Sequence, residues 1–304
     1  KRMLFDFNGA LEDLNRADQL DPNNAFTLRN RGVTKRMLGD YEGALEDLNR
    51  ANQLEPNNAF TLKHRGETKQ YFRDYEGALD DLNRANQLKP NNAFTLSNRG
   101  VIKRLIGDYK GAHKDLDRAN QLVPNNAFTL SNRGVIKRLI GDYKGACKDL
   151  DIANQLVPNN AFTLCNRGDT KRMLFDFNGA LEDLNRADQL DPNNPFTLIS
   201  RGETKQSLRD FKGALEDFNF ANQLEPNNAF ILKNLAITKF ELEDYKQALE
   251  DIEKSLQQTP NDETASEWKT RITQQLDLSK QTNITLFEGK LNKCQKCYQP
   301  FKPF

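Results

Sequence analysis

The 304 residues are only 37% hydrophobic and 29% charged, with 44 basic against 43 acidic side chains and a net charge of +1. No run of about eighteen apolar residues occurs, which excludes a membrane-spanning helix; four Cys in a chain of this length exclude a disulfide scaffold; near-neutral charge argues against a surface built throughout to grip phosphate. So low an apolar fraction makes one large core hard to build, and something else must organise the chain.

That organiser is a repeat. Prolines fall at 22, 56, 90, 124, 158, 192, 226 and 260, always 34 apart. The chain therefore parses as a partial repeat (1–24), seven full repeats (25–262), a capping helix (263–280) and a basic, aromatic tail with a CxxC (281–304). Residues 1–24 recur unchanged at 171–194, and the repeats beginning at 93 and 127 differ only at His113/Cys147 and Arg118/Ile152. Sameness down the array thus partly records duplication.

The partial repeat ends in a helix carrying Leu11, Leu14, Ala17 and Leu20 but lacks most of a preceding partner helix, so its apolar side needs cover. Continuation of the natural chain upstream is the favoured explanation; self-association through this edge is the other.

Each full repeat, with Ala25–Asn58 as type and positions 1 to 34, predicts two helices. The first begins at the Pro-Asn-Asn turn, where Asn58 and its equivalents cap free amides, and ends at Gly39-Asp40, where Gly suits a left-handed turn and Asp caps the next helix. The second carries Tyr41, Ala44, Leu45, Leu48, Ala51 and Leu54 at helical spacing and stops before Pro56. Small residues at position 8 (Gly32) and position 20 (Ala44) suit close helix approach. Gly at position 19 (Gly43, Gly77, Gly111, Gly145, Gly179, Gly213) reads as a helix-interior Gly costing about 1 kcal/mol against Ala, with no functional account.

At 100° per residue the first helix presents two sides. Leu28, Arg31, Lys35 and Leu38 face the partner helix, so Arg at position 7 and Lys at position 11 are expected to be internal struts to Asp at position 23 (Asp47, Asp81 and equivalents), not phosphate ligands. The opposite side reads Phe at position 2 and Asn at position 6, with position 9 alternating between Val33, Val101, Val135, Ile237 and the acids Glu67, Asp169, Glu203. Position 12, at its edge, is Arg36, Arg104, Arg138, Arg172, Gln70, Gln206 or Phe240.

Asn amides can pair with an extended peptide backbone, and Arg can fork onto carboxylates. The expected peptide-binding set is Phe94, Asn98, Arg104, Phe128, Asn132, Arg138, Phe162, Asn166, Arg172, Asn30, Arg36, Lys63 and His64. The alternative is that Phe packs sideways on the adjacent hairpin and Asn is merely a surface residue.

After the array, Thr259-Pro260-Asn261-Asp262 starts a helix with Ala265, Trp268, Ile272 and Leu276 on one stripe. In the tail, Cys294 and Cys297 look like half a zinc knuckle; zinc needs four ligands, so a metal site there needs a dimer or further residues. There is no phosphate loop, no His pair and no nucleophile–base constellation, so no catalytic residue and no cofactor is implied.

Gly32, Tyr41, Ala44, Ala51 and Pro56, at positions 8, 17, 20, 27 and 32, make the unit resemble a tetratricopeptide repeat, over residues 1 to about 262. Leu28 and Lys35 replace the family's usual Trp and Tyr. The resemblance implies an all-α, right-handed superhelical solenoid of antiparallel helix hairpins whose first helices line a concave groove for peptides. It also brings to mind the family's carboxylate clamp. Lys63 and Asn98 match that pattern, but Glu67, Phe128 and Asn132 break it, so the clamp is incomplete.

The resulting expectation is a cytoplasmic, non-enzymatic scaffold capturing a protein or extended peptide, partly acidic with apolar anchors. Single-stranded RNA binding by the groove and structural self-assembly through the N-terminal edge are the competing classes. The 34-residue period, not 35, and the near-neutral charge tell against nucleic acid.

Overall fold

The structure, a computed structural model, describes the backbone of residues 6–297 and the side chains of residues 6–281. Among the described residues it contains sixteen α-helices, one 3₁₀ turn and no strand. The chain divides into two compact units, Lys1–Asn159 and Asn160–Phe304.

In the first unit, α1 (Phe7–Leu20) precedes four hairpins: α2 (Ala25–Met37) with α3 (Tyr41–Leu54), α4 (Ala59–Lys69) with α5 (Tyr75–Leu88), α6 (Ala93–Leu105) with α7 (Tyr109–Leu122), and α8 (Ala127–Leu139) with α9 (Tyr143–Leu156). The second holds α10 (Ala161–Met173) with α11 (Phe177–Leu190), α12 (Pro195–Ser207) with α13 (Phe211–Leu224), α14 (Ala229–Glu241) with α15 (Tyr245–Gln258), and α16 (Glu263–Cys297). Within each unit the hairpins stack in chain order.

The boundaries follow from local chemistry. Each first helix opens on an Asn whose side chain accepts an amide of the first turn, as Asn92 does from Thr95 at 3.0 Å. Each second helix opens on an Asp that accepts from the residue three on, as Asp108 does from Gly111 at 2.8 Å. Gly39, Gly107 and Gly141 adopt φ of +87°, +84° and +87° in the intervening turn, while Arg73, Phe175, Arg209 and Glu243 hold the same left-handed position without glycine's freedom.

The position-19 glycines are not in a helix interior, against the expectation from spacing. They sit in the first turn of the second helix, and a Cβ on Gly43 would lie 2.3 Å from the capping Asp40 carboxylate. Glycine lets the cap close over the backbone. Where Gln247 replaces it, the capping bond to Asp244 lengthens to 3.2 Å.

No deep core is needed, because each hairpin seam is thin and repeated. Leu28, Ala44, Leu48 and Ala51 are fully enclosed, and each burial of a Leu is worth roughly 1.5–3 kcal/mol. Gly32 brings the paired helices so close that a Cβ there would lie 2.9 Å from Leu48 Cγ and 3.0 Å from the Ala44 carbonyl. In α14 the bulk is redistributed: Ala236 takes the glycine's place opposite Ile252.

The second unit closes with α16, capped by Asp262, which accepts from the Ala265 amide at 3.0 Å. Ala265 and Ile272 are buried against Ala236, Ala248 and Ile252, with Phe240 and Trp268 meeting edge to face. The helix runs on past Lys280, where the apolar stripe stops, to Cys297.

Candidate functional site

Two rows of cations project from the first helices, and they meet different fates. On the inner side, Arg at position 7 and Lys at position 11 converge on one Asp of the paired helix. Arg31 donates through Nε to Asp47 Oδ2 and through Nη2 to Asp47 Oδ1, both at 2.7 Å, while Lys35 Nζ lies 2.9 Å from Oδ2. The same triad recurs as Arg65–Asp81–Lys69, Arg99–Asp115–Lys103, Arg133–Asp149–Lys137, Arg167–Asp183–Lys171 and Arg201–Asp217–Lys205. In α14, where Leu235 stands at position 7, Lys239 alone reaches Asp251 at 2.6 Å. Burial pushes the Asp47 carboxyl up, but hydrogen bonds from Arg31 and Lys35 outweigh it and hold the group below its ordinary range. These cations are spent inside the fold, as their spacing predicts.

The opposite side splits into an exposed edge and a buried middle. All seven position-2 phenylalanines, from Phe26 to Phe230, are exposed, between 40% and 63%, although Leu two residues later is buried in every repeat. They form an apolar row along the starts of the first helices of each unit. The Asn residues behind them turn inward. Asn30, Asn132, Asn166 and Asn234 donate Nδ2 to the carbonyl four residues back, at 2.7, 2.9, 2.7 and 2.9 Å. Asn132 and Asn166 are buried, as are Val101 and Val135 at position 9. An amide committed to its own helix has one N–H fewer for a peptide backbone, so the Asn row is less open than spacing suggested.

At positions 9 and 12 charges face one another between successive first helices. The Glu67 carboxylate accepts from Asn98, lies 2.8 Å from His64 Nδ1 and lies 3.0 Å from Arg36 Nη2. Burial raises Glu67, but His64, Arg36 and Lys63 prevail and lower it; burial also depresses His64, leaving a neutral ring the favoured form near pH 7. Lys63 lies over the Phe60 and Phe94 rings at 5.5 and 5.8 Å, and burial lowers its pKa. In the second unit Arg172 pairs with Asp169 at 2.8 Å and Glu203 at 3.1 Å. Gln206 instead bonds the Thr238 hydroxyl at 2.7 Å, and Phe240 packs on Trp268.

Arg104 breaks this rule. The residue at position 9 of the following repeat is Val135, and the Arg104 side chain has no ion pair or hydrogen bond among the described residues; its Nε, like that of Arg36, is enclosed without an acceptor. Burial and the neighbouring Arg138 both depress its pKa.

Cys165 is buried between α10 and α12, where Thr197 Oγ1 lies 3.1 Å from its sulfur. Ser97 and Thr129 make the same contact between α6 and α8 at 2.8 Å. Among the described residues no three His, Cys, Asp or Glu side chains are grouped to hold a metal ion, and no helix is long and apolar enough to cross a membrane. The side chains of Cys294 and Cys297 lie outside the described residues.

No family model matches the chain. No curated protein matches it either. Solved structures do: a chain of the APC/C hetero-tetramer Cut9–Hcn1 superposes with a TM-score of 0.75 at 16% identity, over 88% of this chain and 52% of that one. The chain has the tetratricopeptide-repeat fold. A tetratricopeptide repeat protein from Parabacteroides merdae matches with a TM-score of 0.57 at 21% identity, over 77% of this chain and 92% of its own. Yeast Tom70 matches at 0.53 and 18%, over 94% and 62%. The chain thus spans about half the length of the Cut9–Hcn1 chain it resembles. At these identities the tetratricopeptide likeness concerns the fold, an all-α helical-repeat solenoid, and the site must be judged from its own residues.

Proposed function

We propose that this tetratricopeptide array is a non-enzymatic, cytoplasmic binding scaffold that captures an extended, partly acidic segment of a partner protein along the first-helix side of its repeats. The exposed phenylalanine row carries this reading. A Phe that is about half exposed in every repeat, with the two residues that follow it buried, is apolar surface that a partner can remove from water, and rings of this kind suit peptide anchoring. Arg104, at the other end of α6 and without an acid of the array beside it, supplies a place for a carboxylate. The Cut9–Hcn1 structure, a hetero-tetramer, is consistent with a protein as partner.

Selection of 12-residue peptides by display on the full chain tests the reading. Enriched peptides are expected to combine leucine or aromatic residues with Asp or Glu, and the Phe94→Ser, Phe128→Ser double variant is expected to lose their binding while keeping its helical circular dichroism. Peptides that bind this variant as well as the wild type would sink the proposal, as would selection of purely basic sequences.

A further inference from the structure

We propose that Arg104 is an anion subsite that takes a carboxylate of the bound peptide, filling the place that the protein's own acids hold elsewhere in the array. The proposal rests on the peptide-scaffold reading above and names one contact within it.

The array contains its own template. At Arg36 the guanidinium meets Glu67 from position 9 of the next repeat, and that carboxylate is further held by His64 and Asn98. At Arg172 it meets Asp169 and Glu203. Where position 12 is Gln206, the neutral amide finds the Thr238 hydroxyl and the Asn234 carbonyl. At each of these places the position-12 side chain has a partner of its own from the array, although the Arg36 Nε is enclosed without an acceptor. At Arg104 the corresponding acid is replaced by buried Val135, so the guanidinium keeps its donors, and its Nε is enclosed with no acceptor. A largely desolvated Arg without a counter-charge favours a carboxylate that arrives already stripped of part of its water, because the desolvation of the cation has been met in folding.

The position of Arg104 also restricts the ligand. Phe94 opens α6 and Arg104 lies ten residues along it. At about 1.5 Å per residue the two are about 15 Å apart along the axis, the length of about four or five residues of extended chain. The occupant is therefore an extended peptide whose Asp or Glu side chain follows or precedes an apolar anchor by that interval.

The test uses the full chain and three acetylated, amidated 12-residue peptides, with Leu and a second residue five positions apart, that residue being Glu, Gln or Lys. Two variants address the subsite. Arg104→Gln installs the residue natural to Gln70 and Gln206, and Val135→Glu installs the acid natural to Glu67 and Glu203. Fluorescence anisotropy is expected to show the Glu peptide binding wild type about tenfold more tightly than the Gln peptide, and each variant abolishing that preference, with thermal unfolding confirming an intact fold. A Glu preference that survives both variants within twofold overturns the subsite even if Phe94→Ser, Phe128→Ser still loses all three peptides, which leaves the scaffold reading standing. If the phenylalanine variant loses none of them, the scaffold reading falls as well. A peptide with its free C-terminus in place of the Glu side chain separates the two sources of carboxylate, and tighter binding of that peptide overturns the side-chain assignment. Oligouridylate that binds the chain in an Arg104-dependent way while the Glu peptide does not bind also overturns it.

Discussion

The inner and outer cations of the first helices are the same residue types, yet the structure treats them oppositely. At positions 7 and 11, Arg99 and Lys103 enclose Asp115 between the helices of one hairpin, with distances of 2.7 to 2.9 Å and a fork geometry that recurs repeat after repeat. At position 12, Arg104, on the same helix, has no counter-charge among the described residues. The difference teaches that basic residues in a repeat report on stability or on recognition according to what stands opposite them, and that the deciding residue belongs to another helix.

The strongest way to break this comparison is to remove an inner acid. Asp115→Ala leaves Arg99 and Lys103 enclosed with no carboxylate, and breaking a buried pair from one side costs about 3–5 kcal/mol; urea unfolding should show it, and a loss below about 1 kcal/mol would mean that the struts are ornamental. The outer counterpart, Arg104→Gln, should move stability by no more than about 0.5 kcal/mol, since no native bond is lost.

Next in size is the seam that brings the struts together. A Cβ on Gly134 would lie 2.7 Å from Leu150 Cγ, so Gly134→Ala forces the hairpin apart and should cost about 1–3 kcal/mol in the same assay.

Acid should act on the inner layer in a defined direction. The Asp47 carboxyl is held below its ordinary value, so its contribution is present above the unfolded-state pKa of about 4 and is lost as pH falls through the lower folded-state value. The destabilisation of Asp47→Asn relative to wild type should accordingly be full at pH 7 and shrink as pH falls below about 4. A difference constant down to pH 2 would break the assignment.

Apart from Arg104→Gln, the smallest effect lies in the turn between the two helices and sharpens the comparison by touching neither layer. Phe175 sits at φ 63° where three other repeats have glycine. Phe175→Gly should raise stability by about 1 kcal/mol, read as a rise in the urea midpoint without change in peptide binding.

Much of this was legible in the residues. The 34-residue period, the Asn and Asp caps, the glycine at position 8 and the Arg–Asp–Lys struts all follow from local periodicity and from the rule that enclosed charges need partners. The position-19 glycines misled because their reason is the Asp40 carboxylate folded back over Gly43, a contact that depends on cap geometry. The Asn row misled because a helical wheel shows which side a residue is on but not whether its amide bonds the carbonyl four residues back, as Asn132 does to Phe128.

By itself, then, the sequence determined the repeat, its helices, their caps and the inner ion pairs, because each depends on residues close in the chain or on a spacing copied in every unit. Only the tertiary structure decided which outer residues remain open. Phe94 stays exposed, Asn132 turns inward, Arg36 meets Glu67 and Arg104 meets Val135's repeat without an acid. Those outcomes are set by the packing of one first helix on the next, where a single Val in place of Glu leaves a desolvated charge for a partner to satisfy.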